Sequence, residues 1–243
     1  MKRTYLVFLV LLSVLVIDQS LKVFVKTHFY YGESYRMAGQ EWAQLHFIEN
    51  NGMAFGIEFG NKCLGVRSDN GSCKGVIISP KGGKILLSVF RILMIGFLVY
   101  LLRDLIKTKE PKGLVAAFTL ILGGAIGNII DSTLYGVIFS NSPIHTNILA
   151  ELFPVSGGYS SFLFGKVVDM FYFPLIDTTL PQWFPIWGGD NFEFFRPVFN
   201  VADSAITIGV SMILLLYHKF LFKTKTKTKK EEIMEAGEAP IPT

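Results

Sequence analysis

The sequence predicts an all-α membrane protein: four transmembrane helices carrying a small extracytoplasmic β-cradle and a long extracytoplasmic loop. Three observations predict it. The chain is 51% hydrophobic with a mean hydropathy of +0.44, more apolar than a soluble domain runs. Four stretches, about residues 5–25, 85–102, 114–130 and 199–222, have the length and apolarity to cross a hydrocarbon core. Basic residues gather at three places that fall on one side of such a path.

The first helix opens behind Met1-Lys2-Arg3, which also resembles the basic start of a cleaved signal segment. No small-x-small cleavage site follows the apolar run. Asp18-Gln19-Ser20-Leu21-Lys22 follows instead, and apolar spacing resumes through Val25, so a retained helix is expected. Residues 27–83 then form an outer segment, with alternation around Leu45-His46-Phe47-Ile48 that predicts a strand. Cys63 and Cys73, the only cysteines, both fall here; in an oxidising compartment they are a candidate disulfide. The second and third helices are joined by a short loop bearing Arg103, Lys107, Lys109 and Lys112. Residues 132–197 make the long outer loop, rich in Trp, Pro and Gly and suited to the bilayer interface. The fourth helix follows, and residues 223–243, dominated by Lys, Glu, Thr and Pro, are predicted to be a disordered tail.

The positive-inside rule puts Lys2, Arg3, the Arg103–Lys112 loop and the lysines after residue 218 in the cytoplasm, with both termini. The net charge of +4 is then a matter of topology and lipid contact; without aromatic interleaving it argues against nucleic acid.

Helix rise fixes the depth of the polar residues. Asp18 lies about 21 Å and Lys22 about 27 Å above the inner end of helix one. Asn128 and Asp131 end helix three on the same outer level. Asn200 and Asp203 begin helix four there, and Asp169 arrives from the loop. Each has a plain explanation: Asp203 as a helix cap, Asp131 as a solvated end, Gly123, Gly124, Ala125 and Gly127 as a packing face. None explains why every such acid lies at one level, where ionisable groups cost several kcal/mol.

The histidines (His28, His46, His145, His218) are scattered, with no metal-binding spacing. A Ser20–Lys22 dyad fails because i,i+2 side chains diverge on a helix. Two carboxylates sharing a proton remain, one an acid and the other a base, able to hydrolyse a peptide with water. Residue pattern alone leaves Asp131 and Asp169 both open as members of that pair.

Taken in order, these residues resemble lipoprotein signal peptidase, the bacterial membrane aspartic protease family also called signal peptidase II. The resemblance rests on Asp18-Gln19-x-x-Lys22, on Asn50-x-Gly52-x-Ala54-Phe55-Gly56 and on Gly123-Gly124-Ala125-x-Gly127-Asn128-x-x-Asp131. It is completed by Val167-Val168-Asp169 and Phe199-Asn200-x-Ala202-Asp203-Ser204-Ala205-Ile206, and spans about residues 5–220. It implies that Asp169 and Asp203 are the catalytic pair and that Asn50, Gly52, Asn128 and Asn200 surround the scissile peptide. It implies supporting roles for Asp18, Lys22 and Asp131, no cofactor and no metal. The implied substrate is a prolipoprotein carrying diacylglycerol on a cysteine, cut just before that cysteine by a monomer in the cytoplasmic (inner) membrane.

This chain departs from the family twice. Ser132 stands where the family places Arg, and Arg91, about two turns into helix two, is the expected replacement, lying among Asp18, Asp131 and the outer polar groups. Residues 60–82 and 136–165 also lengthen both outer loops. Two rival readings keep their own signatures. A transporter would carry polar residues through the whole thickness, whereas these inner halves are apolar. A non-catalytic assembly or lipid-binding factor would tolerate loss of both Asp169 and Asp203.

Overall fold

The computed structural model describes residues 2–50, 62–67, 73–78, 80–144, 146–174, 176–179, 191–194 and 197–220. Helix α1 spans Arg3–His28, α2 Pro80–Lys107, α3 Lys112–Ile130 and α4 Val201–Leu216. Beyond Ile130, a π-helical turn (Asp131–Tyr135) and a last α-turn (Gly136–Ile138) prolong α3. Arg3–His28, Gly82–Lys107 and Lys112–Ile138 are each long and apolar enough to cross a membrane. Their outward faces are apolar too. Phe8 and Leu12 on α1, and Phe90, Leu93 and Phe97 on α2, are all roughly half exposed or more. An array of this size wants hydrocarbon around it.

The fourth helix is shorter than predicted. The sequence suggests about 199–222, but α4 starts at Val201 because Phe199 is in a strand and Asn200 caps the helix. It breaks at Tyr217, whose φ/ψ of −124°/19° is not helical. At about 1.5 Å per residue its 16 residues fall short of a full crossing. The tail beyond residue 220 lies outside the described residues.

An all-α description also understates the β-structure. Strands β1 (Ser34–Arg36), β2 (Gln44–Asn50), β5 (Val167–Tyr172) and β8 (Val198–Phe199) form one antiparallel sheet in the order β1-β2-β5-β8. β3 (Lys62–Arg67) pairs with β4 (Cys73–Ile78), and β6 (Ile176–Thr179) with β7 (Asn191–Phe194). Short strands separated by long connections give little periodic signal, so only β2 is legible in the sequence. The β3–β4 register sets Cys63 opposite Ile77 and Cys73 opposite Arg67. The side chains of Cys63 and Cys73, and with them the candidate bridge, lie outside the described residues.

Two apolar clusters hold the frame. One joins α2, α3 and α4 through Leu98, Leu102, Leu114, Phe118, Leu122 and Ile213. The other packs the top of α1 and the end of α3 against the sheet through Val25, Phe47, Tyr135, Phe139, Val168 and Met170. Small residues let α3 and α4 approach backbone to backbone. A Cβ on Gly124 would collide with the Ala202 carbonyl, and one on Gly209 would stand 2.6 Å from the Ala117 carbonyl.

Candidate active site

The two apolar clusters leave a polar layer between them, at the end of the bundle that carries the sheet. Its first part is an ion cluster. Lys22 on α1 is fully buried and lies 2.9 Å from Asp18 and 2.8 Å from Asp131. Gln19 donates to both acids at 3.0 Å, and the Tyr135 hydroxyl donates to Gln19 Oε1 at 3.2 Å. Asp18 Oδ1 accepts the backbone N–H of Ala202 at 2.8 Å, so an acid of α1 ties down the first turn of α4. Asp131 Oδ2 accepts the N–H of Val168 at 3.3 Å and thereby holds strand β5. The three residues read as supporting are therefore one unit fastening α1, α3, α4 and β5.

Asn128 carries the layer onward. Its Oδ1 accepts from Lys22 Nζ at 3.1 Å and from Asn200 Nδ2 at 3.2 Å, while its Nδ2 donates to Asp203 Oδ1 at 2.8 Å. Asn200 is the N-cap of α4 in a capping box: its Oδ1 accepts the Asp203 N–H at 2.9 Å, and Asp203 Oδ2 accepts the Asn200 N–H at 3.4 Å. The same Asn200 donates from Nδ2 to Asp169 Oδ1 at 2.7 Å. One asparagine side chain thus links Asp169 and Asp203. Asn50, at the end of β2, donates to the other Asp169 oxygen at 3.2 Å.

Pleat geometry puts Asn50 there. Ile48 pairs with Asp169 across the β2–β5 ladder, and Asn50, two residues on, shares that face. Asp169 is 2% exposed. Burial, and then the charge of Asp203, pushes its carboxyl up from 3.8 to about 7, against the hydrogen bonds from Asn50 and Asn200. A carboxyl whose proton affinity is raised into the neutral range beside a second acid is equipped for acid–base work.

Arg91 donates from Nη1 to Ser132 Oγ at 3.0 Å, and Ser132 Oγ donates to the Asn128 carbonyl at 3.1 Å. The guanidinium lies within electrostatic reach of Asp203, Asp131 and Asp169. Asp18, the other acid expected near it, is engaged by Lys22, Gln19 and the Ala202 N–H. Gly52 and the rest of that motif lie outside the described residues.

Sequence reasoning missed a second buried cluster. Lys26, one turn beyond Lys22, is fully buried and paired with Glu49, and its Nζ donates to Ser142 Oγ at 3.1 Å. Lys166 completes the group 3.0 Å from Glu49, and Lys26 lies 5.1 Å from the centre of the Tyr159 ring. Glu49 directly precedes Asn50 on β2, so this cluster anchors the strand that supplies a donor to Asp169. The spacing Asp18, Lys22, Lys26 on one face of α1 is the signal that would have found it.

A multi-helix membrane protein with a buried Asp169 and a half-buried Asp203 joined through Asn200 at one end of its bundle has the arrangement of a membrane aspartic protease. The family is specific. Residues 10–220 match the family model described as signal peptidase (SPase) II, and the chain belongs to that family. It is 47% identical over 204 residues to a lipoprotein signal peptidase of Porphyromonas gingivalis, covering 84% of this chain and 78% of the relative. It is 34% identical over 220 residues to one from Amoebophilus asiaticus, covering 88% and 78%. A solved bacterial membrane enzyme shares the fold with a TM-score of 0.50 at 22% identity, over 88% of this chain and 87% of that one. The chain is thus an aspartic endopeptidase of signal peptidase II type.

Proposed function

We propose that the enzyme removes the signal peptide from diacylglyceryl-modified prolipoproteins, cutting just before the lipid-bearing cysteine. The observation that carries this is the linkage of Asp169 and Asp203 through Asn200, with Asn50 donating to Asp169 and Asn128 to Asp203. Relatives named lipoprotein signal peptidase support the substrate class.

In this reading Asp203 is the base. It stands in the first turn of α4, where the helix dipole favours negative charge. It takes a proton from a water held between the acids. Asp169, whose carboxyl is held up at about 7 by burial, donates its proton to the carbonyl oxygen of the scissile peptide as the water oxygen adds to the carbonyl carbon. As the tetrahedral gem-diol collapses, one of its hydroxyls returns a proton to Asp169, the C–N bond breaks, and the proton taken by Asp203 passes to the leaving amine. Water supplies both fragments, and the chemistry calls for no cofactor. Arg91, in reach of both acids, supplies the positive field that the family's Arg at the position of Ser132 would have given.

The same reading makes residues 1–222 the membrane protease domain, with α4 and the residues up to 222 together as the fourth crossing, and 223–243 a cytoplasmic tail. It sets both termini inside the bacterial cytoplasmic membrane and the acids near its outer face. There a monomer meets a substrate held in the outer leaflet by its own acyl chains, and the segment after Phe171 helps clamp it. The test is incubation of the purified enzyme, Asp169→Asn and Asp203→Asn with lipidated and unlipidated precursors. Cleavage is expected only of the lipidated precursor and only by the parent. Appreciable turnover by either variant would refute the pair.

A further inference from the structure

The segment after α3 does not leave the bundle end as a free loop. It folds back along the last turns of the third membrane-crossing helix, Lys112–Ile138, and is bonded to them by backbone. Phe139 bridges Leu152, and the Phe153 N–H donates to the Ile138 carbonyl at 2.7 Å. The Ser160 N–H reaches the Gly136 carbonyl at 2.8 Å, that of Leu163 the Thr133 carbonyl at 3.3 Å, and that of Gly165 the Ser132 carbonyl at 2.9 Å. These bonds set depth. Phe153 is level with the final residue of the span, and Phe162 lies about one helical turn inside it.

At that level the segment turns apolar side chains outward. Phe153 is 72% exposed, Val155 fully exposed and Phe162 58% exposed. Leu134 and Val137, on the helix beside them, are also exposed. Between residues 132 and 165 the only carboxylate is Glu151, and there is no Lys or Arg. The base is clamped by the Lys26–Ser142 hydrogen bond and by the burial of Phe139 and Ala150, which fixes the outward aim of the exposed set. The backbone donors named above are satisfied by helix carbonyls, the condition for irregular chain at the edge of hydrocarbon.

We propose that residues 139–165 form a lipid-seated hairpin, with Leu152, Phe153, Val155 and Phe162 docked into the boundary between acyl chains and headgroups. Its partner is the phospholipid leaflet nearest the buried acids. Continuity with the lipid-facing residues of the span selects lipid as the occupant, together with a composition whose one carboxylate is Glu151 and a depth set by main-chain bonds. The hairpin holds the bundle, and the polar layer beneath Tyr135 and Phe139, at a fixed height in the membrane. This rests on the membrane reading alone and is independent of which bond the enzyme cuts.

The test uses the full chain with Cys63→Ser and Cys73→Ser, reconstituted in discs of phosphatidylethanolamine and phosphatidylglycerol. A nitroxide is attached at Val155→Cys, with Leu9→Cys (56% exposed on α1) and Lys107→Cys (exposed at the end of α2) as references. Collision with oxygen and with a water-soluble nickel chelate is then measured. The Val155 label is expected to match the Leu9 label, with an oxygen-to-nickel ratio several-fold above that at Lys107. A label as nickel-accessible as that at Lys107 would overturn the proposal. So would one shielded from both reagents, since that pattern marks a protein partner or a second copy. Because the position is fully exposed, folding is not at risk, and retained precursor cleavage checks it.

Discussion

Replacing Asp169 by Asn should make the enzyme inactive and, above neutral pH, more stable. The carboxyl is 2% exposed and held up at about 7 by burial and by Asp203, against an ordinary 3.8. Since the folded value lies above the unfolded one, the native state keeps a proton that the unfolded chain releases between about pH 4 and 7. Stability is full below that window, falls through it and levels off above it. About three pH units correspond to about 4 kcal/mol. Asn keeps the acceptor for Asn200 Nδ2 but turns an NH2 toward Asn50 Nδ2, forfeiting that hydrogen bond at about 1 kcal/mol. The stability difference between variant and parent should therefore grow by about 4 kcal/mol in favour of the variant from pH 4 to pH 8. After the constant loss at Asn50, a net gain of about 3 kcal/mol remains at pH 8. Reversible unfolding in mixed micelles across that range measures it. Parallel curves for parent and variant would show that Asp169 carries no elevated proton affinity, and its assignment as the acid would fall.

Three further outcomes follow from the same contacts. Asn50→Ala removes a donor that draws the Asp169 carboxyl downward, so the alkaline fall in cleavage should move up by about one pH unit; an unmoved pH–rate profile refutes that role. Arg91→Leu should depress cleavage at least tenfold, and adding Ser132→Arg should recover much of it by returning a guanidinium to the same place from α3; full activity in the single variant rejects the replacement. Glu49→Ala leaves Lys26 buried without its counter-charge and should cost about 3–5 kcal/mol, whereas the double variant Glu49→Met, Lys26→Met should lose much less. Unfolding midpoints decide between additive and compensating behaviour.

The helices were legible because each is a long apolar run, and the level at which their polar residues meet followed from the rise per residue. The sheet was not. β8 has two residues and β1 three, too short to show a period, and they exist because β2 and β5 offer edges to pair with. The length of α4 was overestimated because apolarity continues past Tyr217, where the backbone leaves the helix. The Lys26–Glu49–Lys166 cluster was hidden because its members lie 23 and 117 residues apart, and only folding makes them neighbours. Arg91 was found from a gap: Ser132 lacked the expected charge, and one cation on the neighbouring helix stood near the right height.

Residue type could not separate Asp131 from Asp169, but their partners do. Asp18 and Asp131 share a buried ammonium, that of Lys22, which holds them in place as they tie the first turn of α4 and strand β5. Asp169 and Asp203 are held instead by the amides of Asn50, Asn200 and Asn128. An ammonium shared by two carboxyl groups commits both to one fixed contact, whereas an amide orients a carboxyl group and leaves the proton free to come and go. Asp18, expected as a supporting residue, ties the first turn of α4, and the proposed catalytic pair stands on the frame it helps to hold. The acids around Lys22 fix the frame, and in the proposed mechanism that frame holds Asp169 and Asp203, supported by neutral donors, in place to work as a pair.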